Sequence, residues 1–149
     1  MTGIRIAALA AAALCTTAAA QPLPPGALIF NPDKTQWFWT ATRGGQWAPI
    51  RGNPNHPGPY VYAAKVPPRT VTLPQVFPDT RSYTVISGTF YVGFGERFDD
   101  AKMIALPPGS HFVAPAGKPH FTATREEPVT LQVSGVGRSV PTVVDPAPR

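Results

Sequence analysis

Cysteine is almost absent from this 149-residue chain, which has a single one at Cys15. From Gln21 onward the sequence contains none, so this part has no disulfide, no thiol nucleophile and no thiolate metal ligand. It must therefore fold on its hydrophobic core alone. About 129 residues are enough for one domain with such a core.

Charged residues are also scarce, at 14% of the chain, with a net charge of +5. The basic residues are scattered singly and do not alternate with aromatic residues, so the sequence gives no indication of a nucleic-acid-binding surface. Motifs of nucleophilic hydrolases, glycine-rich phosphate loops and paired catalytic carboxylates are missing as well. No catalytic residue can be assigned on these grounds.

The first twenty residues have the three-part pattern of a secretory signal peptide. Arg5 supplies the positive charge, residues 6–15 form an apolar run, and Ala18 and Ala20 are the small residues that precede a cleavage site. The run is too short for a stable membrane anchor. The alternative is a buried N-terminal helix, but an alanine-rich run without a polar face suits export better. We expect a mature protein that begins at Gln21 and is periplasmic or secreted.

Proline is abundant, with 20 residues that all follow position 21. Proline breaks helices, and no segment shows a sustained helical period. Short segments of alternating apolar and polar residues, such as 60–66, 81–88 and 129–136, are bounded by turn residues and indicate strands. The sequence therefore predicts an all-β sandwich or barrel after an irregular proline-rich segment.

Four residues near the C-terminal end stand at a characteristic spacing: Gly109, Pro115, Gly117 and His120. This pattern resembles the second motif of the cupin superfamily, and the apolar strand that ends at Gly88 resembles the end of the first. The resemblance implies a small single-domain exported bacterial cupin, with a double-stranded β-helix (jelly-roll) barrel. The resemblance covers the barrel at 45–137, and the sequence around it divides into a signal peptide at 1–20, a proline- and aromatic-rich segment at 21–44 and a flexible tail at 138–149.

In metal-binding cupins the first motif supplies two histidines and one glutamate. The resemblance places these positions on Gln75, Phe77 and Arg81, so only His120 remains of the usual four ligands. A guanidinium in the same pocket would repel a cation. The resemblance thus implies a degenerate metal motif and no cofactor, the alternative being a divalent transition metal held by His120 with atypical ligands.

An arginine in the barrel suits an anion, because its planar fork matches carboxylate or phosphate. Period-two alternation turns Arg81 inward together with Tyr83 and Val85. We expect Asp79 to stay in solvent and protonation of His120 to tighten anion binding below about pH 6.5. The predicted ligand-binding residues are Gln75, Phe77, Arg81, Tyr83 and His120.

Other conspicuous side chains receive structural interpretations. His111 is expected to face outward, and His56 lies in a turn. Trp37, Trp39 and Trp47 are interpreted as core or as a dimer face, which leaves a homodimer open.

From the sequence and its resemblance we expect an exported cupin-domain protein that binds a small anionic organic molecule in its barrel without metal. The alternative is a metal-dependent cupin enzyme of the dioxygenase or isomerase type that uses His120. Whether the protein is an enzyme is left open, because the fold alone does not decide it.

Overall fold

The computed structural model describes residues 21–40 and 44–144, and these contain strands and one 3₁₀ turn but no α-helix. No helix in these two ranges could cross a membrane. The predicted signal peptide, at 1–20, lies outside the described residues. The strands are β1 (Phe38–Trp39), β2 (Gln46–Arg51), β3 (Gly58–Val66), β4 (Val71–Val76), β5 (Arg81–Ser87), β6 (Phe90–Phe94), β7 (Ile104–Leu106), β8 (His111–Ala114), β9 (His120–Thr124), β10 (Val129–Gly137) and β11 (Thr142–Val143), with the 3₁₀ turn at Asp100–Lys102.

The strands form two antiparallel sheets. One has the order β1-β2-β3-β10-β5-β8 and the other has the order β11-β4-β9-β6-β7. From β3 onward, almost every connection carries the chain from one sheet to the other, and only β6 and β7 are consecutive neighbours in the same sheet. This alternation is the jelly-roll arrangement and confirms the predicted all-β fold class.

The turn at Gly88 shows how the chain changes sheets. β5 and β6 meet there, but they pair with different neighbours instead of with each other. Gly88 has a φ of 73°, and a side chain at this position would collide with the carbonyl of Pro128. Glycine is therefore required at this corner for both its backbone conformation and its lack of a Cβ.

The hydrophobic core lies between the two sheets. Val85, Leu131 and Val133 from one sheet pack with Phe90 from the other. The ring of Phe112, on β8, stacks on Tyr83 at a centroid distance of 4.4 Å and also approaches the ring of Phe90. Burial of these side chains is what holds the sheets together, at about 25 cal/mol per Å² of apolar surface.

The C-terminal segment differs from the sequence-based prediction of a flexible tail from residue 138. Ser139 is buried, and β11 pairs with β4 through Thr142 and Val143. The backbone amide of Ser139 also donates to the carbonyl of Pro54. This part of the tail is held in place by contacts distant in sequence, which local composition does not reveal.

Candidate functional site

A cavity of about 490 Å³ opens between the two sheets, and all five predicted ligand-binding residues line it. β5 places Arg81 and Tyr83 inward on alternate positions, both buried. Gln75 on β4 pairs with His120 on β9, so these two side chains lie on the same wall of the cavity. Phe77 follows β4 and is buried beside them.

The second motif holds its turn against the loop after β4. The amide of Gly117 donates to the carbonyl of Phe77 at 2.8 Å, and the amide of Ala116 donates to Oγ1 of Thr80 at 3.2 Å. These bonds fix the approach of His120 to the Phe77 ring. The two ring centroids are 5.6 Å apart.

Arg81 is the principal charge in the cavity wall, and only 4% of its surface is exposed. Its Nε donates to the hydroxyl of Tyr60 at 3.0 Å, and its Nη2 donates to the hydroxyl of Tyr62 at 2.5 Å. Both acceptors are neutral phenol oxygens. The sequence-based prediction that Arg81 faces inward is confirmed.

Aromatic rings surround the guanidinium. Its Cζ lies 4.0 Å from the ring centroid of Phe77, and the rings of Tyr60, Tyr62 and Tyr83 lie within 6 Å. Burial acts to lower the pKa of Arg81, but the tyrosine oxygens around it outweigh burial and raise that pKa, so the side chain keeps its charge. The charge is thus stabilised by π faces and neutral hydroxyls.

Asp79 is buried, which corrects the expectation that it stays in solvent. The hydroxyl of Tyr60 donates to its Oδ2 at 2.6 Å, and the hydroxyl of Ser139 donates to its Oδ1. Because Tyr60 also accepts from Arg81, its hydroxyl links the buried cation to the buried anion. The carboxylate therefore balances Arg81 through one intervening hydroxyl, without a direct salt bridge.

The tyrosines of this network are neutral at physiological pH. Burial raises the pKa of Tyr60, and the hydrogen bond to Asp79 raises it further. Burial also raises the pKa values of Tyr62 and Tyr83. Each phenol therefore retains its proton and serves as a hydrogen-bonding group.

His120 is the second polar group of the cavity wall and is almost fully buried. Its Nδ1 lies 3.4 Å from the carbonyl oxygen of Lys118, whereas its Nε2 is buried without a hydrogen-bond partner in the part of the chain that the structure describes. Besides Phe77, the rings of Tyr83 and Phe94 approach the imidazole, at centroid distances of 6.1 and 6.2 Å.

Burial lowers the pKa of His120, and the nearby positive charge of Arg81 lowers it further. The imidazole is therefore less than half protonated at pH 6.5, where an ordinary histidine is half protonated. This corrects the expected pH dependence, because protonation of His120 can tighten anion binding only at a lower pH.

The residues around His120 do not fit a metal ion. No group of three or more His, Cys, Asp or Glu side chains able to hold one occurs within the two described ranges. The neighbours at the implied ligand positions are an amide, a phenyl ring and the guanidinium of Arg81, which repels cations.

His56, His111 and Trp39 lie away from this polar cluster, whereas Trp47 lies beside it. His56 and His111 are exposed, and His111 bonds to Oγ1 of Thr84 on the outer face. Trp39 is 72% exposed, so the interpretation of this residue as core is wrong, and its place in a dimer face stays a prediction. Trp47 lines the cavity and packs edge-on against Tyr62.

Sequence reasoning missed Tyr60, Tyr62 and Ser139. The alternating pattern of segment 60–66 indicates that Tyr60 and Tyr62 lie on the same face of a strand, because residues two apart on a strand share a face. Nothing local pointed to Ser139, which reaches Asp79 across 60 positions of sequence.

Comparison with solved structures agrees with the two-sheet jelly roll. The chain superposes on the polyketide cyclase RemF from Streptomyces resistomycificus with a TM-score of 0.66 and 14% identity, over 80% of this chain and 86% of that one. For the DMSP lyase DddQ from Ruegeria pomeroyi DSS-3, the TM-score is 0.60 and the identity 19%, over 77% and 64% of the chains. The chain thus spans slightly less than two thirds of the length of DddQ.

A third similar structure is an RmlC-like cupin from Shewanella frigidimarina NCIMB 400, with a TM-score of 0.58 and 13% identity over 72% of this chain and 87% of that one. No protein-family model and no curated protein sequence matches the chain. The likenesses are structural, and they establish the fold. The chain has the double-stranded β-helix fold of the cupin superfamily.

Proposed function

We propose that this chain is an exported cupin-fold protein that binds a small anionic organic molecule in its barrel without a metal ion. The observation that carries the proposal is the state of Arg81. It is a buried guanidinium on the cavity wall, and its two hydrogen bonds, from Nε and Nη2, meet neutral hydroxyls. A carboxylate in the cavity is the natural further acceptor for this fork.

The dimensions and lining of the cavity support a small organic ligand. A volume of about 490 Å³ lies within the range of typical small-molecule sites, which are mostly apolar with a few convergent polar groups. Here the apolar part comes from Phe77, Tyr62 and Tyr83, and the polar groups from Arg81 and His120.

Two structural neighbours are named for activities on small molecules, RemF as a polyketide cyclase and DddQ as a DMSP lyase. They show that this fold accommodates such ligands, and they support small-molecule binding by this chain. The absence of metal is proposed because Arg81 occupies a position where the cupin resemblance implies a glutamate ligand. Export is proposed from the signal-peptide pattern of residues 1–20.

The test is a thermal-shift screen of the purified protein against a panel of small organic acids at neutral pH. A ligand at one hundred times its Kd stabilises the folded state by about 2.7 kcal/mol, which gives a clear rise in Tm. We expect Arg81→Lys to lose most of this rise, because lysine keeps the charge but not the fork.

The matched control is Arg97→Lys, since Arg97 is exposed and does not line the cavity. Arg125 is a less suitable control, because it pairs with Asp100. Two outcomes would contradict the proposal. One is the absence of any stabilising acid, and the other is a stabilisation that Arg81→Lys and Arg97→Lys leave equally intact.

A further inference from the structure

His120 carries a specific requirement for a hydrogen-bond donor. The carbonyl oxygen of Lys118 can only accept, so the imidazole Nδ1 that faces it at 3.4 Å must carry the proton. In the neutral ring the other nitrogen then has a lone pair and no hydrogen. Nε2 of His120 is therefore a hydrogen-bond acceptor.

This acceptor is unsatisfied in the protein alone. Nε2 is buried and no donor within residues 21–40 and 44–144 reaches it. A buried acceptor without a partner is destabilising, and native structures seldom retain one without a reason. The aromatic rings of Phe77, Tyr83 and Phe94 that surround it present mainly carbon.

Arg81 and His120 face the same cavity and contact the same ring. Cζ of Arg81 lies 4.0 Å from the ring centroid of Phe77, and the imidazole centroid of His120 lies 5.6 Å from the same ring centroid. The distance between Cζ of Arg81 and the imidazole centroid of His120 therefore cannot exceed the sum of these two distances. After a hydrogen bond of about 2.8 Å at each end, only a few covalent bonds can separate the two polar groups of a bridging ligand.

The donor that meets Nε2 should be neutral. The positive charge of Arg81 already disfavours a proton on His120, and it would disfavour an ammonium group at the same point. A hydroxyl donates a hydrogen bond without adding charge.

We propose that the cavity takes a hydroxycarboxylate, whose carboxylate accepts from Arg81 and whose nearby hydroxyl donates to Nε2 of His120. This rests on the proposed anion-binding function and narrows its ligand class. Nε2 is closed from water, so the hydroxyl reaches it through rotation of a neighbouring ring. Of the rings around the imidazole, Phe77 and Tyr83 line the cavity, so one of these must shift for the hydroxyl to enter.

Mandelate and phenylacetate are suitable probes, because they differ by one hydroxyl next to the carboxylate and their phenyl ring matches the aromatic wall. In the native protein we expect mandelate to bind about tenfold more tightly than phenylacetate, as measured by titration calorimetry. Phenylglycine, which has an ammonium in place of the hydroxyl, should bind more weakly than mandelate.

His120→Leu removes the acceptor and retains Arg81. In this variant mandelate and phenylacetate should bind with about equal affinity, while the Kd of phenylacetate stays within about twofold of its native value. Long-range proton–nitrogen NMR of the native protein tests the same point without a variant. It should show a protonated Nδ1, and an Nε2 resonance that shifts with mandelate but not with phenylacetate.

The outcomes separate the two proposals. If both acids bind in an Arg81-dependent manner with equal affinity, or if Nε2 carries the proton, the hydroxycarboxylate inference is overturned and the anion site stands. If no acid binds, the anion site itself is wrong and the narrower ligand class falls with it.

Discussion

Replacing Tyr60 with phenylalanine should strongly destabilise the fold, because one hydroxyl serves both buried charges. It accepts from Nε of Arg81 at 3.0 Å and donates to Oδ2 of Asp79 at 2.6 Å. Tyr60→Phe keeps the ring, so the packing of a residue that is only 1% exposed changes little. What is lost is the bridge between the guanidinium and the carboxylate.

The size of the effect follows from the two bonds. A hydrogen bond to a charged group contributes about 1.5–3 kcal/mol, and removing one partner of a buried charge pair costs about 3–5 kcal/mol. We expect Tyr60→Phe to lower the free energy of unfolding by about 3 kcal/mol or more. A domain of this size has roughly 5–15 kcal/mol in total, so the loss should be easily measured.

Urea unfolding at neutral pH, followed by circular dichroism, measures this difference. The control is Tyr91→Phe, because the Tyr91 ring lies under Arg125 while its hydroxyl has no hydrogen bond within the described ranges. The control should change the stability by less than about 0.5 kcal/mol. A double-mutant cycle of Tyr60→Phe with Asp79→Asn should show coupling between the two changes.

The reasoning would be refuted if Tyr60→Phe proved as mild as Tyr91→Phe. In that case the aromatic rings around Arg81 would be enough to hold its charge, and Asp79 would be a separate structural anchor for Ser139. Additive effects in the cycle would lead to the same conclusion, because independent sites do not couple.

Three other predictions concern metal, pH and export. The protein purified without added metal or affinity tag should contain well under one equivalent of Fe, Mn, Ni, Cu or Zn by mass spectrometry; near-stoichiometric metal that disappears in His120→Ala would favour the metal-enzyme alternative. Burial lowers the pKa of His120 in the folded state below its unfolded value near 6.5, so between these two pKa values the unfolded state binds more protons than the folded state. The free energy of unfolding should therefore decrease as the pH falls below about 6.5. Urea unfolding at several pH values should show this slope, and His120→Gln should reduce it. N-terminal sequencing of the protein from the source cell envelope should find Gln21 first, and a mature form that begins at Met1 would contradict export.

The barrel could be predicted because its signals are local. The spacing of Gly109, Pro115, Gly117 and His120 specifies a turn and the strand that follows it, and the alternation of residues 81–85 orients Arg81 toward the core. Both depend on neighbouring positions in sequence, which is where backbone geometry acts directly.

The partners of Arg81 could not be predicted in the same way. Tyr60 and Tyr62 lie on β3, which is separated from β5 by β10 in the sheet, so no pairing of adjacent strands brings them to the guanidinium. Ser139 arrives from the C-terminal segment, whose prolines favoured a loose tail. These contacts depend on the order of the strands within one sheet and on the return of the C-terminal segment, which single-sequence patterns do not specify.

The sign of the charge at residue 81 determines whether the groups around it must be hydrogen-bond donors or acceptors. A carboxylate at residue 81 would need hydrogen-bond donors or a cation around it, whereas the guanidinium of Arg81 is surrounded by acceptors: the hydroxyls of Tyr60 and Tyr62 and the π face of Phe77. An isolated charge replacement would leave these groups mismatched. The surroundings of residue 81 therefore suit a fixed positive charge at the position where metal-binding members of the resembled superfamily carry a glutamate. This fixed positive charge is the reason why we propose a negatively charged ligand.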